Sequence, residues 1–327
     1  MSVQRKLTTL LKKFSAFRPL LAAAVICAAI APVQAQQPLR IGTFGPLNNE
    51  SIAVAIAINN GLYKEAGLDP ELVVFKGGAP AVQALAAKAI DVCICSPEHV
   101  IRLSTRGLPA HVVVPLSDVT SYVLFGPKDS PAKNIADLKG KKIGITSPGS
   151  KTDDLVRLAL IRAGLNPNKD AEIVGIGSSF NNLAGIQGKR IDAGMISGLD
   201  VLTAEHDHLA VVYDWRTTKT ASLALIGLDS WTKSQPEKLK GVITATLKAA
   251  NLAVHNKDER VKALATLYPN VSADLINQGA ERLIGTTVTA PRFTPVEFKH
   301  LQDDTIAMDS TLKPLTYDEF NPDFLKK

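Results

Sequence analysis

Cysteine and aromatic residues are scarce in this chain: three cysteines, and 5% Phe, Trp and Tyr, in 327 residues. So little sulfur excludes a fold stapled by disulfides. Cys93 and Cys95 share a face if their segment is a strand, but bridging one intervening residue strains the bond, so two buried thiols are expected. An excess of one charge is missing too. The 37 basic residues outnumber 31 acidic ones, but five of them (Arg5, Lys6, Lys12, Lys13 and Arg18) fall in the first 35 positions, and 37 less 5 leaves 32 against 31. A near-neutral body argues against a nucleic-acid partner. Catalytic signatures are absent as well, with no G-x-S-x-G elbow and no H-E-x-x-H zinc motif. Gly175-Ile176-Gly177 fails the dinucleotide fingerprint because Phe180 stands at the third glycine position. His206-Asp207-His208 lacks a third metal ligand. Gly144 and Gly149 have P-loop spacing, but Ser150 intervenes before Lys151-Thr152. No cofactor and no metal are expected.

What is present begins with a leader. The five bases are followed by an apolar run over 20–30 and then by Pro32-Val33-Gln34-Ala35. That order predicts a secretory signal peptide cleaved after Ala35, and hence a periplasmic protein. The run is shorter than the ~20 residues of a spanning helix. A lipid anchor at Cys27 is disfavoured because Ile26 stands where such sites place a small residue. The remaining 292 residues (327 less 35) suffice for two lobes.

The body then repeats itself about a hundred residues apart. Ala66-Gly67-Leu68-Asp69-Pro70 returns as Ala163-Gly164-Leu165-Asn166-Pro167. Lys88-Ala89-Ile90-Asp91 returns as Lys189-Arg190-Ile191-Asp192, and Arg40-Ile41-Gly42-Thr43 is echoed by Lys142-Ile143-Gly144-Ile145-Thr146. Strands over 39–44, 71–75, 90–95 and 111–116 alternate with helices over 51–60 and 80–88. Ser96-Pro97-Glu98 opens another helix, with Ser as the cap. The second unit offers strands over 142–146, 172–174 and 193–196, a helix capped by Ser150 or Thr152, and one over 180–187. A strand over 222–228 and helices over 236–255, 257–267, 273–283 and 295–308 complete the chain. Such alternation predicts an α/β protein of two lobes, each a mostly parallel sheet flanked by helices. Crossings near 118–122 and 214–218 predict two hinge segments. They divide the body into 36–119 plus 217–327 and 120–216.

Parallel sheets bind ligands beyond the carboxyl ends of their strands, and a cleft between lobes is a common small-molecule site. The first unit therefore nominates Thr43, Phe44, Pro46, Leu47 and Asn48, and then Ser96, Pro97 and Glu98. From the second come Ser147, Gly149, Ser150 and Thr152, where backbone N–H groups at a helix start favour an anionic oxygen, with Ser197, Gly198 and Asp200. The crossings add Ser121, Tyr122, Asp214 and Trp215, and Phe180 is a further candidate aromatic. Ser96 and Ser197 fall at equivalent strand ends, as two jaws of one site. Glu98, Asp118, Asp200 and Asp214 are the acids that could face the cleft, although each could instead cap a helix or pair with a base.

These segments resemble a known family. Asn60-Gly61-Leu62-Tyr63-Lys64-Glu65-Ala66-Gly67-Leu68, Ile90-Asp91 with Ser96-Pro97-Glu98, and Ala136-Asp137-Leu138-Lys139-Gly140-Lys141-Lys142-Ile143-Gly144 are similar to the substrate-binding proteins of the sulfonate/nitrate/taurine ABC importers. The resemblance spans nearly all of the body. It implies a type II periplasmic-binding-protein fold that closes on a small solute and delivers it, as a monomer, to a transmembrane permease without chemistry. A sulfonate- or carboxylate-like anion is the expected solute, with a pyrimidine precursor of thiamine as the alternative. Related eukaryotic pyrimidine synthases carry a cysteine-rich motif that this chain lacks, which weakens an enzymatic alternative.

Overall fold

The computed structural model describes residues 37–326, so the expected signal peptide lies outside the described residues. Ten strands form two five-stranded sheets. The strands are β1 (Gln37–Thr43), β2 (Leu68–Val74), β3 (Val92–Cys95), β4 (Ala110–Val119), β5 (Val123–Gly126), β6 (Lys142–Ile145), β7 (Glu172–Gly175), β8 (Ala193–Ile196), β9 (Ala210–Asp214) and β10 (Lys219–Leu228). The first sheet has the order β2-β1-β3-β10-β4 and the second β7-β6-β8-β5-β9. Each sheet contains one strand antiparallel to both neighbours, β10 in the first and β5 in the second. That strand is the one formed as the chain arrives from the other sheet. Residues 120–122 and 215–218 are the two crossings.

The helices are α1 (Ile52–Asn59), α2 (Leu62–Glu65), α3 (Gly78–Ala86), α4 (Glu98–Thr105), α5 (Lys151–Arg162), α6 (Ser179–Gln187), α7 (Asp200–His206), α8 (Asp229–Ser234), α9 (Pro236–His255), α10 (Lys257–Leu267), α11 (Ala273–Arg282), α12 (Pro295–Met308) and α13 (Tyr317–Phe320). Helix α1 is apolar on all sides (Ile-Ala-Val-Ala-Ile-Ala-Ile) and is buried between the first sheet and α9. Pro236 starts α9, which buries Leu239, Val242, Ile243, Thr246, Ala249, Ala250 and Ala253. That spacing is one helical face, and the Thr246 hydroxyl meets the phenol of fully buried Tyr63 at 2.9 Å. The opposite face of the first sheet carries α3, α4 and α12, with Phe293, Phe298 and Phe320 in its core. A reciprocal cap of Thr294 and Glu297 fixes the start of α12. The second sheet is likewise covered on both faces. No helix among the described residues is long and apolar enough to cross a membrane.

The hundred-residue repeat is visible in the backbone. Gly67 and Gly164 both end helices in the left-handed region, at φ 77° and 78°. Lys88 and Lys189, unusual there without being glycine, match at 58° and 53°. Each is followed by an aspartate that locks the next turn to the sheet: Asp91 accepts the Arg40 N–H and Asp192 the Lys142 N–H, both at 2.8 Å.

Three sequence expectations need correction here. Cys93 and Cys95, both fully buried, are joined as a disulfide rather than left as thiols. Their shared strand face holds the Cα atoms 5.4 Å apart, within the range a bridge spans. Ser96 does not cap α4, because its hydroxyl is turned to the Glu98 carboxylate. Neither Ser150 nor Thr152 caps α5. Thr152 bonds back to the N–H and hydroxyl of Thr146, and Asp153 instead accepts the Gly149 N–H at 2.8 Å.

Candidate functional site

The loops that leave β1, β3 and β6 at their carboxyl ends converge between the two sheets on one cavity. Its lining comprises Phe44, Glu50, Gly78, Ser96, His99, Tyr122, Thr146, Ser150, Lys151, Ser222 and Leu223. One carboxylate, Glu50, lines it, and a second, Glu98, is bonded to the lining Ser96 from behind. Glu98 is 1% exposed. Its Oε2 takes the Ser96 hydroxyl and lies 3.7 Å from the Lys151 ammonium, while its Oε1 is buried without a hydrogen-bond partner. Burial alone would push this carboxyl up, but Lys151, His99 and Arg102 hold it well below the usual range. The Glu50 Oε1 accepts the Ser121 N–H at 3.2 Å. Burial raises its carboxyl to about 7, with Ser121 and Lys151 opposing. Burial also lowers the His99 imidazole to about 4, so it is neutral at pH 7. The cavity is thus lined by an ammonium paired with Glu98, an acid raised by burial and a neutral imidazole.

The positive ends of the surrounding helices are already served by the protein itself. Glu98 occupies the first turn of α4, and Asp153 sits at the start of α5. Ser178 accepts the Asn181 N–H at α6, and Asn48 with Ser51 caps the 3₁₀ turn that leads into α1. An anion entering here would compete with groups in place.

One face of α5 spans the gap between the sheets. Besides Lys151, Asp154 pairs with Arg102 of α4 at 2.6 Å and Arg162 with Asp304 of α12 at 2.6 Å. The Ser150 hydroxyl accepts the Ala79 N–H at 3.2 Å. On the far side Arg282 of α11 meets Glu205 of α7 at 3.0 Å. Beyond the Lys151–Glu98 pair lies a second cavity, bounded by α5, β9, the second crossing and α12. It measures about 120 Å³ against about 30 Å³ for the first, on a measure where one water needs roughly 10–15 Å³.

The nominated residues divide accordingly. Phe44, Ser96, Tyr122 and Ser150 line the first cavity, and Glu98 and Trp215 the second. Thr43 turns its hydroxyl back to the Gly45 carbonyl, Pro46 is exposed and Leu47 packs on the first core. Asn48, Pro97, Ser147, Gly149 and Thr152 shape the loops and lie outside both linings. Phe180 is 66% exposed. Ser121 and Gly198 border a third cavity behind Glu50. Ser197 exchanges bonds with Ser179 and stands outside both linings, and Leu199 enters the first core. Asp118 pairs with Lys219 and Asp214 with Arg216. Burial raises the Asp200 carboxyl. The sequence reading missed Glu50 and His99, whose neighbours are apolar or helix-forming, and left Lys151 as a rejected P-loop lysine.

Two α/β lobes joined by two crossings around a cavity at their strand ends constitute the periplasmic-binding-protein fold. The periplasmic aliphatic sulphonate binding protein SsuA from Escherichia coli has it too, with a TM-score of 0.65 and 21% identity over 86% of this chain and 96% of that one. The chain belongs to the family described as NMT1/THI5 like, which it matches over residues 48–260. It is 30% identical over 258 residues, 77% of each chain, to a protein of Brucella abortus (strain 2308) named as a binding protein. It is 26% identical over 239 residues, 69% of each, to the formylaminopyrimidine-binding protein of Halalkalibacterium halodurans.

Proposed function

We propose that this protein is the solute-binding component of an ABC importer. It is exported to the periplasm, works as a monomer without chemistry, and hands its solute to a transmembrane permease. Residues 36–119 with 217–327 form one lobe and 120–216 the other, and they close about the two crossings. A ligand held at micromolar affinity supplies about 8 kcal/mol, enough to bias an open–closed equilibrium of a few kcal/mol.

The observation that carries the reading of the solute is an interlobe cavity lined by Glu50 and the neutral His99, whose ammonium, Lys151, is paired with Glu98 behind it. A carboxyl and a neutral imidazole can accept hydrogen bonds from N–H groups, and an ammonium already paired with Glu98 leaves little free charge for an anion. The solute is therefore an N–H-bearing heteroaromatic compound of the aminopyrimidine class, in preference to a sulfonate or carboxylate. The likeness to a formylaminopyrimidine-binding protein supports this choice.

Mass spectrometry of solute released from the purified protein, with a thermal-shift panel of alkyl sulfonates, nitrate, carboxylates and aminopyrimidines, tests it. At 100 times Kd the true class raises stability by about 2.7 kcal/mol. Stabilisation by a sulfonate or nitrate alone would overturn the solute reading. Release of a chemically altered product would overturn the binding reading.

A further inference from the structure

We propose that the solute site has a second compartment, beyond the Lys151–Glu98 pair, that takes a flat apolar substituent such as an aryl ring carried by the solute's head group. The inference rests on the reading that the inner cavity holds an N–H-bearing head. Lys151 lines both cavities and Glu98 the outer one, so the two meet at the Lys151 ammonium. The pair is open at 3.7 Å, whereas the other ion pairs along the same face of α5 close at 2.6 Å. The inner space is a quarter of the outer, so a solute larger than a small head reaches the outer one.

The walls of the outer compartment select the chemistry. Leu155, Leu158, Tyr213, Trp215, Leu301 and Met308 supply apolar surface. The Tyr213 and Trp215 rings lie 4.5 Å apart, tilted by 50°, and Tyr213 remains 39% exposed. A ring edge or face fits beside such a pair. The charged groups there are satisfied within the protein: Asp154 by Arg102, and Arg162 by Asp304. The unpartnered Glu98 Oε1 at its inner end disfavours an anionic substituent. One wall comes from α5 and β9 and the opposite wall from α12, so the substituent is enclosed only when both lobes are together. It would strengthen closure as well as affinity.

The test compares 4-amino-2-methylpyrimidine with its 5-benzyl derivative by calorimetry on the protein purified after signal-peptide removal. The benzyl probe is expected to bind at least tenfold tighter. In Thr218→Phe, which fills the compartment from its exposed rim, that ratio should fall below threefold. Equal affinities in the unsubstituted protein, or an unchanged ratio in T218F, would overturn the proposal. If neither probe binds, the head-group reading has failed, and the compartment is judged on its own. Trp215 emission is then followed in Trp231→Phe, which leaves it the sole tryptophan, during titration with benzyl alcohol. A saturable response that T218F abolishes supports the compartment, and a non-saturable one refutes it.

Discussion

Replacing Glu50 with Gln should change how stability depends on pH, and the size of the change follows from its burial. The carboxyl is raised from its ordinary 4.5 to about 7. Below pH 4.5 both folded and unfolded chains carry the proton. Between 4.5 and 7 the unfolded chain has released it and the folded chain has not, so this group's contribution falls as pH rises. A shift of that size is worth about 3 kcal/mol in all. His99 acts in the opposite sense. Lowered from 6.5 to about 4, it takes up a proton more readily when unfolded, and its contribution rises with pH across that interval. The two offset each other in the original protein, and only the difference between variant and original isolates Glu50. Gln keeps an oxygen to accept the Ser121 N–H, so the fold is retained. Thermal unfolding at pH 4.5 and pH 8 should show E50Q gaining about 5 °C relative to the original protein between the two. That figure takes about 2.1 cal/mol/K per residue for the unfolding entropy and about 290 residues. Parallel pH profiles for the two proteins would refute the assignment of Glu50 as the buried acid.

Two further outcomes can be checked. Asp154→Asn removes the partner of Arg102, both side chains being less than a fifth exposed. Losing one member of such a pair costs about 3 kcal/mol, here charged to the closed state. Small-angle scattering of the solute-free variant should show a larger radius of gyration than the original protein, and equal radii would count against the pair as a clasp. Gly144→Ala places a methyl group against Asn182 and Ile191 in the middle of β6. It should cost about 1–3 kcal/mol in denaturant unfolding, whereas Gly45→Ala, with nothing within 4 Å, should be near neutral.

Much of the architecture was legible because punctuation and period coincided. The expected bounds of α9, α10 and α12 agree with the observed ones, since Pro236, Asn256 and Thr294-Pro295 mark their starts and one apolar face runs through α9. β5 was missed. Its four residues, Val-Leu-Phe-Gly, are buried throughout and too short to display a period. The repeat located the strand ends but not the packing beside Ser197, because symmetry of sequence does not include Leu199, whose side chain the first core claims. Lys151, Asp154, Leu155, Leu158 and Arg162 form a helical stripe that could have been read as one contact face. Its partner in α12 lies some 140 residues further on, and no local pattern joins them.

The late strand of the first sheet has a consequence for biosynthesis. Every strand of the second sheet comes from one continuous stretch, Val123 to Asp214. The first sheet is interrupted by it, since β10 must enter between β3 and β4. A chain made from its amino end therefore presents β4 with no neighbour until residues 219–228 arrive. The nested lobe is free to complete its sheet first. An interruption in the order of assembly thus becomes, in the finished molecule, the pair of crossings that join one sheet to the other.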